Sequence, residues 1–323
     1  MRKLVPVLAV LLLVGGAAAF AQKALNIAAV DYPQFSVYTL RINASKKACQ
    51  DYGAKFTLFQ PSAVEVAADV DTLLNVINQG FDAIIVEPWS YEPWLEAVKS
   101  AKEKGVILVN VHVPYDDPSY FISQLIIDNK GYGITAMDVL AKEFGGKANI
   151  LIMMNSTDQM NQVVQRQAII DRCAEKHPNM KVIATEFTRV DPIIAAERLE
   201  AALTAYPQID TILFLESGTV TVAANVAKEM GVLKKIRIIG IDDPPDLIAS
   251  IRKGEVWGSF NQNFQRQGYE AVRNIVDYFK GTPFPKFTDA GIVLIKKANV
   301  DTYLDQMWGP VSVKGKPYSN LKK

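Results

Sequence analysis

Short β-rich apolar runs alternate with amphipathic stretches along almost the whole chain, and the alternation runs through twice. In the first pass, Leu25–Val30, Lys55–Phe59, Ala83–Val86 and Val106–Val111 read as strands. Helical spacing covers Tyr38–Tyr52, Val64–Gln79 and Pro93–Lys104 between them, with Gly53, Gly80 and Gly105 just beyond the helix ends. The second pass reads Asn149–Met154, Lys181–Phe187, Thr211–Leu215 and Arg237–Ile241 as strands. Its helices fall at Tyr132–Phe144, Gln159–Lys176, Asp191–Tyr206, Val220–Met230 and Asp246–Lys253. Apolar runs of this length suit strands covered on both faces, and parallel strands need helical crossovers to join them. The pattern predicts an α/β chain of two doubly wound, Rossmann-like parallel-sheet domains.

A third, shorter set follows: a strand at Val256–Asn261, a helix at Gln267–Phe279 and a strand at Ile292–Ile295. These are spare for the second domain, so the chain is expected to cross back and complete the first. Crossings are placed near Leu125–Asn129, Asn261–Asn263 and Asp289–Gly291, giving three hinge connections. The expected lobes are residues 22–125 with 263–289, and 126–262 with 290–323.

The first 21 residues carry an export pattern. Arg2 and Lys3 precede the apolar run Leu4–Val14, and Ala19-Phe20-Ala21 offers small residues at the −3 and −1 positions of a cleavage site. The expected location is therefore periplasmic, after removal of a signal peptide at residues 1–21. With 35 basic and 34 acidic residues the chain has no field to hold a polyanion, so no nucleic-acid partner is expected. Cys49 and Cys173 lie on different helices and in different domains, and read as small buried hydrophobes.

In open α/β sheets, ligands sit beyond the carboxyl ends of the strands. Those positions hold Asp31, Tyr32, Phe35 and Tyr38, then Glu87 and Trp89, then His112. In the second half they hold Asn155-Ser156-Thr157, Arg189, Ser217 and Asp242, with Gln262 after the late strand. Aromatic rings suit the flat C–H faces of a sugar, and carboxylates and amides suit its hydroxyl edges. Each residue alone also suits core packing or helix capping. Their concentration at successive strand ends points to a ligand cleft between the domains.

Ile238-Ile239-Gly240-Ile241-Asp242 with Pro244-Pro245, and Gly258-Ser259-Phe260-Asn261-Gln262, carry a resemblance. So do Leu203-Thr204-Ala205-Tyr206-Pro207 and Ile127-Asp128-Asn129. The chain resembles periplasmic sugar-binding proteins of the ribose/galactose type, which share their ligand domain with lac-repressor-type regulators. The resemblance runs from about Lys23 to Ile295 and implies two lobes that close by hinge motion around a small ligand. It implies Asp242 and Gln262 as the ligand carboxylate and the hinge-side amide, and Asp31 through Tyr38 as first-strand contacts. Glu87 stands where the family has asparagine or aspartate, His112 where aspartate is usual, and Ser217 replaces a common asparagine. Val164 occupies the place of a ligand-binding arginine, and Arg189 is the candidate to supply the missing positive group.

Three carboxylates in one cleft, Asp31, Glu87 and Asp242, admit two readings. Either a polyol donates its hydroxyls to them, or the ligand is itself cationic or nucleoside-like; the resemblance favours a monosaccharide. The implied partner is the membrane permease of an ABC importer, with a chemoreceptor or sensor kinase as the alternative. No cofactor, no metal and no catalysis are expected. Gly131-Tyr132-Gly133 lacks the context of a dinucleotide loop, His112 and His177 are too few for zinc, and no serine has a nucleophile's partners.

Overall fold

The computed structural model describes residues 24–88, 90–157 and 159–303. The export segment at residues 1–21 and the tail from 304 lie outside them, as does Trp89. Two six-stranded sheets form the molecule. The first contains β1 (Asn26–Val30), β2 (Lys55–Phe59), β3 (Ala83–Val86), β4 (Ile107–His112), β5 (Ser123–Ile126) and β11 (Phe287–Asp289). Its spatial order is β11-β5-β4-β3-β1-β2, with every pair parallel.

The second contains β6 (Ala148–Met154), β7 (Met180–Phe187), β8 (Thr211–Phe214), β9 (Arg237–Ile241), β10 (Gly258–Asn261) and β12 (Val293–Lys296). Its order is β12-β10-β9-β8-β6-β7, and only the β10–β12 pair is antiparallel. β3 and β8 are buried at every position, as strands sandwiched between helices must be.

Helices α1 (Ser36–Tyr52), α2 (Val66–Ile77) and α3 (Tyr91–Glu103) cover the first sheet. Helices α4 (Asn129–Phe144), α5 (Met160–Lys176), α6 (Pro192–Ala205), α7 (Val220–Glu229) and α8 (Pro245–Lys253) belong to the second half of the alternation. The last, α9 (Phe264–Lys280), leaves the second sheet and packs on α1. Both strands read as spare for the second domain do stay with the second sheet. What completes the first is α9 and the short strand β11, which the sequence pattern did not show.

The chain passes between the sheets three times: from β5 into α4, from β10 into α9, and from β11 to β12. These crossings are tied together. The Asn263 side-chain amide donates to the Ala290 carbonyl at 2.9 Å, and the Ala290 N–H donates to the Ile126 carbonyl at 2.8 Å. Cys49 and Cys173 are buried and free, and burial pushes their thiols up to about 12 and about 11. His177 pairs with Asp138 at 2.8 Å beside Arg172, because α4 lies against α5 there.

Packing of α9 on α1 depends on Gly268. A Cβ at that position would stand 2.2 Å from the Arg41 carbonyl oxygen and 2.8 Å from Ser45 Oγ. Ser45 Oγ in turn donates to the Gly268 carbonyl at 3.1 Å. Gly268→Ala is expected to cost about 1–3 kcal/mol through overpacking, in spite of alanine's better helix propensity. Urea denaturation checks it; an unchanged or raised midpoint would show that the two helices part without penalty.

Candidate functional site

The carboxyl ends of both sheets face one interlobe cavity of about 430 Å³. Its first-lobe wall includes Phe35, Tyr38, His112 and Phe264, and its second-lobe wall includes Gln165, Val190, Ser217, Asp242 and Gln262. Backbone strain collects at the same strand ends. Among the described residues, the non-glycine positions with positive φ are His112 (68°), Arg189 (53°), Val190 (54°), Asp242 (65°) and Asn263 (60°). His112 ends β4, and the others follow β7, β9 and β10 within three residues. Such conformations persist where surrounding structure over-determines them, and they cluster at ligand sites.

One buried network organises the first-lobe wall. Arg41, 2% exposed, donates from Nε and Nη2 to the two oxygens of Asp31, both at 2.8 Å. Its Nη1 lies 2.7 Å from Glu87 Oε2, and Glu87 Oε1 lies 2.7 Å from His112 Nδ1. With Nδ1 donating to the carboxylate, Nε2 is the ring nitrogen left for the cavity that His112 lines.

Aromatic rings enclose these charges. The guanidinium stands 4.6 Å from the Tyr38 ring centroid and 5.6 Å from that of Phe264, and the His112 ring lies 4.9 Å from Phe264. Burial alone would raise the Glu87 carboxyl, but Arg41 and His112 outweigh it and hold Glu87 at about 2. For His112, burial opposes the charged ring, yet the Glu87 carboxylate raises it above its ordinary value.

The second-lobe wall is built around Asp242. It is 6% exposed, and Gln262 Nε2 donates to its Oδ1 at 2.8 Å. Ser259 Oγ anchors its carbonyl at 2.6 Å. Burial pushes the Asp242 carboxyl up to about 6, against hydrogen bonds from Gln262 and Ser217 and the pull of His112. Beside it, the Glu216 carboxylate ties two loops together. It accepts from Thr188 Oγ1 at 3.1 Å, from the Gly218 N–H at 2.6 Å and from Thr219 Oγ1. Gly218 is needed because a Cβ there would meet Val190 Cγ1 at 2.5 Å.

The expected site residues separate into layers. Phe35, Tyr38, His112, Ser217, Asp242 and Gln262 line the cavity. Asp31 and Glu87 stand behind the wall, spent on Arg41. Tyr32 is buried with its hydroxyl donated to Asp69, so it serves the core. Arg189 is exposed and is not among the described lining residues; its neighbour Val190, in the same positive-φ turn after β7, is. The positive group that the carboxylates require is Arg41. Its signal was present in the sequence, since Arg41, Ser45 and Ala48 recur at helical spacing on the buried stripe of α1. Phe264 and Gln165 were missed as well. Gln165 is 1% exposed, donates from Nε2 to Asn129 at 2.9 Å, and has no partner on Oε1 among the described residues.

A larger groove of about 770 Å³ runs along α5 and the edge strand β7. Its lining follows β7 from Met180 to Phe187 on the second lobe alone, and no carboxylate is among the described lining residues. Among the described residues no His, Cys, Asp and Glu cluster is arranged to hold a metal, and no helix is long and apolar enough to cross a membrane.

Comparison with known proteins bears on the family and the fold. The chain is 30% identical over 198 residues to a xylitol-binding protein of Mycolicibacterium smegmatis, a match spanning 61% of this chain and 55% of that protein. It is 25% identical over 193 residues to the galactofuranose-binding protein YtfQ of Escherichia coli, spanning 58% and 61%. The chain thus matches only a little over half the length of each of these relatives. The fold is shared with a sugar-binding protein of a sugar ABC transporter from Bacillus halodurans: TM-score 0.80, 17% identity, 86% of this chain and 99% of that one. The family model described as a periplasmic binding protein domain matches residues 39–283, and the chain belongs to that family.

Proposed function

We propose that this protein is an extracytoplasmic solute-binding protein whose lobes, residues 22–125 with 263–289 and 126–262 with 290–323, close on a small uncharged polyhydroxylated ligand of the sugar or alditol class. Delivery to the permease of an ABC importer is the proposed role. A chemoreceptor or sensor kinase is the alternative acceptor of the closed form.

The observation that carries the ligand class is the pairing of Asp31 and Glu87 with Arg41 and His112. Three free carboxylates would have called for a cation. Asp31 and Glu87 are neutralised, Glu216 is held by Thr188, Gly218 and Thr219, and Asp246 stands exposed at the rim, accepting from Thr221. Asp242 and Gln262 are then the buried polar pair beside the rings of Tyr38, Phe35 and Phe264, an arrangement suited to hydroxyls and C–H faces. Among the described lining residues there is no lysine or arginine to receive an anionic sugar acid. The sugar and alditol ligands named for relatives support the same class.

Protein purified without refolding is expected to release a neutral polyol on denaturation, identified by mass spectrometry. A Kd below 1 μM is about 8 kcal/mol of binding, enough for bound ligand to survive purification. An amine or a nucleoside in its place would overturn the reading.

Affinity and stability should respond to pH in opposite directions. Asp242 titrates at about 6 when folded, above its ordinary 3.8. Its contribution to stability is therefore full below 3.8 and lost as pH rises through 6, a change of up to about 3 kcal/mol. Ligand hydroxyls that donate to the carboxylate favour its ionised form, so affinity for the released polyol should fall as pH drops below about 6, by up to roughly tenfold per unit. Titration calorimetry from pH 5 to 8 tests this; a flat profile would remove Asp242 from the ligand contacts.

A further inference from the structure

We propose that the cleft has a second chamber and that the ligand is a glycoside, its second sugar unit lying between Tyr91 of the first lobe and Met160 of the second. This rests on the saccharide reading above and extends it beyond a single ring.

The second chamber has a volume of about 560 Å³ and adjoins the first at Asn161, which lines both. Its first-lobe wall is preformed. Tyr115 is buried and fixed at both ends: its N–H donates to Gln124 Oε1 at 3.2 Å, and its hydroxyl donates to the Tyr91 carbonyl at 3.1 Å. The Tyr91 and Tyr115 rings lie 4.9 Å apart at 38°. Asn110 secures Gln124 from beneath at 2.6 Å.

Facing this wall are apolar side chains that water does not favour. Met160 and Val164, on the second lobe, are 65% and 39% exposed, and Phe287, at the first-lobe edge, is 54% exposed. Exposed apolar groups gathered on one concave surface mark a binding surface. Asp116, Asp128 and Asn129 line the same space. Ring faces with polar groups at their margins repeat the chemistry of the first chamber, and that recurrence selects a second hydroxylated ring as the occupant. A rigid wall also lowers the ordering cost of holding a longer ligand.

The test measures Kd by titration calorimetry for matched pairs: D-xylose with xylobiose, D-galactose with lactose, and D-glucose with cellobiose and maltose. At least one disaccharide is expected to bind tenfold or more tightly than its monosaccharide. Tyr91→Ala and, independently, the surface change Met160→Glu should each remove that gain while leaving the monosaccharide Kd within twofold. The proposal is overturned if monosaccharides bind and every disaccharide binds more weakly, or if the variants weaken both members of a pair alike. Absence of binding by all of these sugars, with an amine or nucleoside as the released ligand, would instead strike the saccharide reading itself, and this proposal with it.

Discussion

Arg41→Met is expected to lower the unfolding free energy by about 3–5 kcal/mol, the loss seen when one member of a buried ion pair is removed. The size of the effect comes from what is left behind. Arg41 is the buried counter-ion of Asp31 and one of the two partners that keep Glu87 ionised, and all three side chains are nearly sealed from water. Methionine fills much of the volume but leaves two carboxylates facing each other without a guanidinium between them. Both would take up protons, and Glu87 protonated would lose its hold on His112. Guanidinium chloride denaturation should therefore show a large drop at pH 7 that shrinks towards pH 5, where protonating the orphaned carboxyls costs less. Adding Asp31→Asn and Glu87→Gln to Arg41→Met should recover part of the loss. A single variant within about 1 kcal/mol of the parent would mean that the carboxylates are solvated or neutral, against the geometry described.

Asp242→Ala is expected to weaken ligand binding by about 2–4 kcal/mol, or roughly 30- to 1,000-fold, with the fold retained. Hydrogen bonds to a charged group contribute about 1.5–3 kcal/mol each when one partner is deleted, and a carboxylate can accept from two ligand hydroxyls. Stability should not follow affinity. Burial already holds the Asp242 carboxyl at about 6, so its charge opposes folding at neutral pH, and removing it relieves that burden. The strained backbone, with φ at 65°, is the one feature that alanine tolerates less well. Titration calorimetry with the released ligand, beside a thermal melt, separates the two effects. Parental affinity in the variant would exclude Asp242 from the site.

Most of the fold was legible because strands β1–β4 and β6–β9 are short runs rich in apolar and β-branched residues, punctuated by helices of the right period. The two strands without a signal, β5 (SQLI) and β11 (FTD), are short and carry polar residues. Ser123 is buried by bonding to the Pro285 carbonyl and to Asn274, contacts 162 and 151 residues away that no local pattern encodes. The start of α9 was set at Gln267, yet the helix begins at Phe264, because Asn263 takes a left-handed conformation that lets the chain turn directly out of β10.

Strand-end reasoning found the cavity's polar anchors, Asp242 and Gln262, because their position follows from topology. It could not tell which carboxylates were spent. Asp31 and Glu87 looked available only while Arg41, one helix turn past Tyr38, was read as an ordinary helix residue.

The three crossings also fix the order in which this chain can become a protein. The first lobe lacks an edge strand and the helix that packs on α1 until residues 264–289 have arrived, and the Ser45 to Gly268 hydrogen bond closes a gap of 223 residues. A nascent chain that has shown its first 200 residues therefore holds an uncovered sheet edge and an unpartnered α1, and contacts so distant in sequence form slowly. Cutting the chain at residue 126 would leave the first lobe without α9 and β11, whereas a circular permutant joining residues 264–289 directly to residue 24 would supply it with every element it uses.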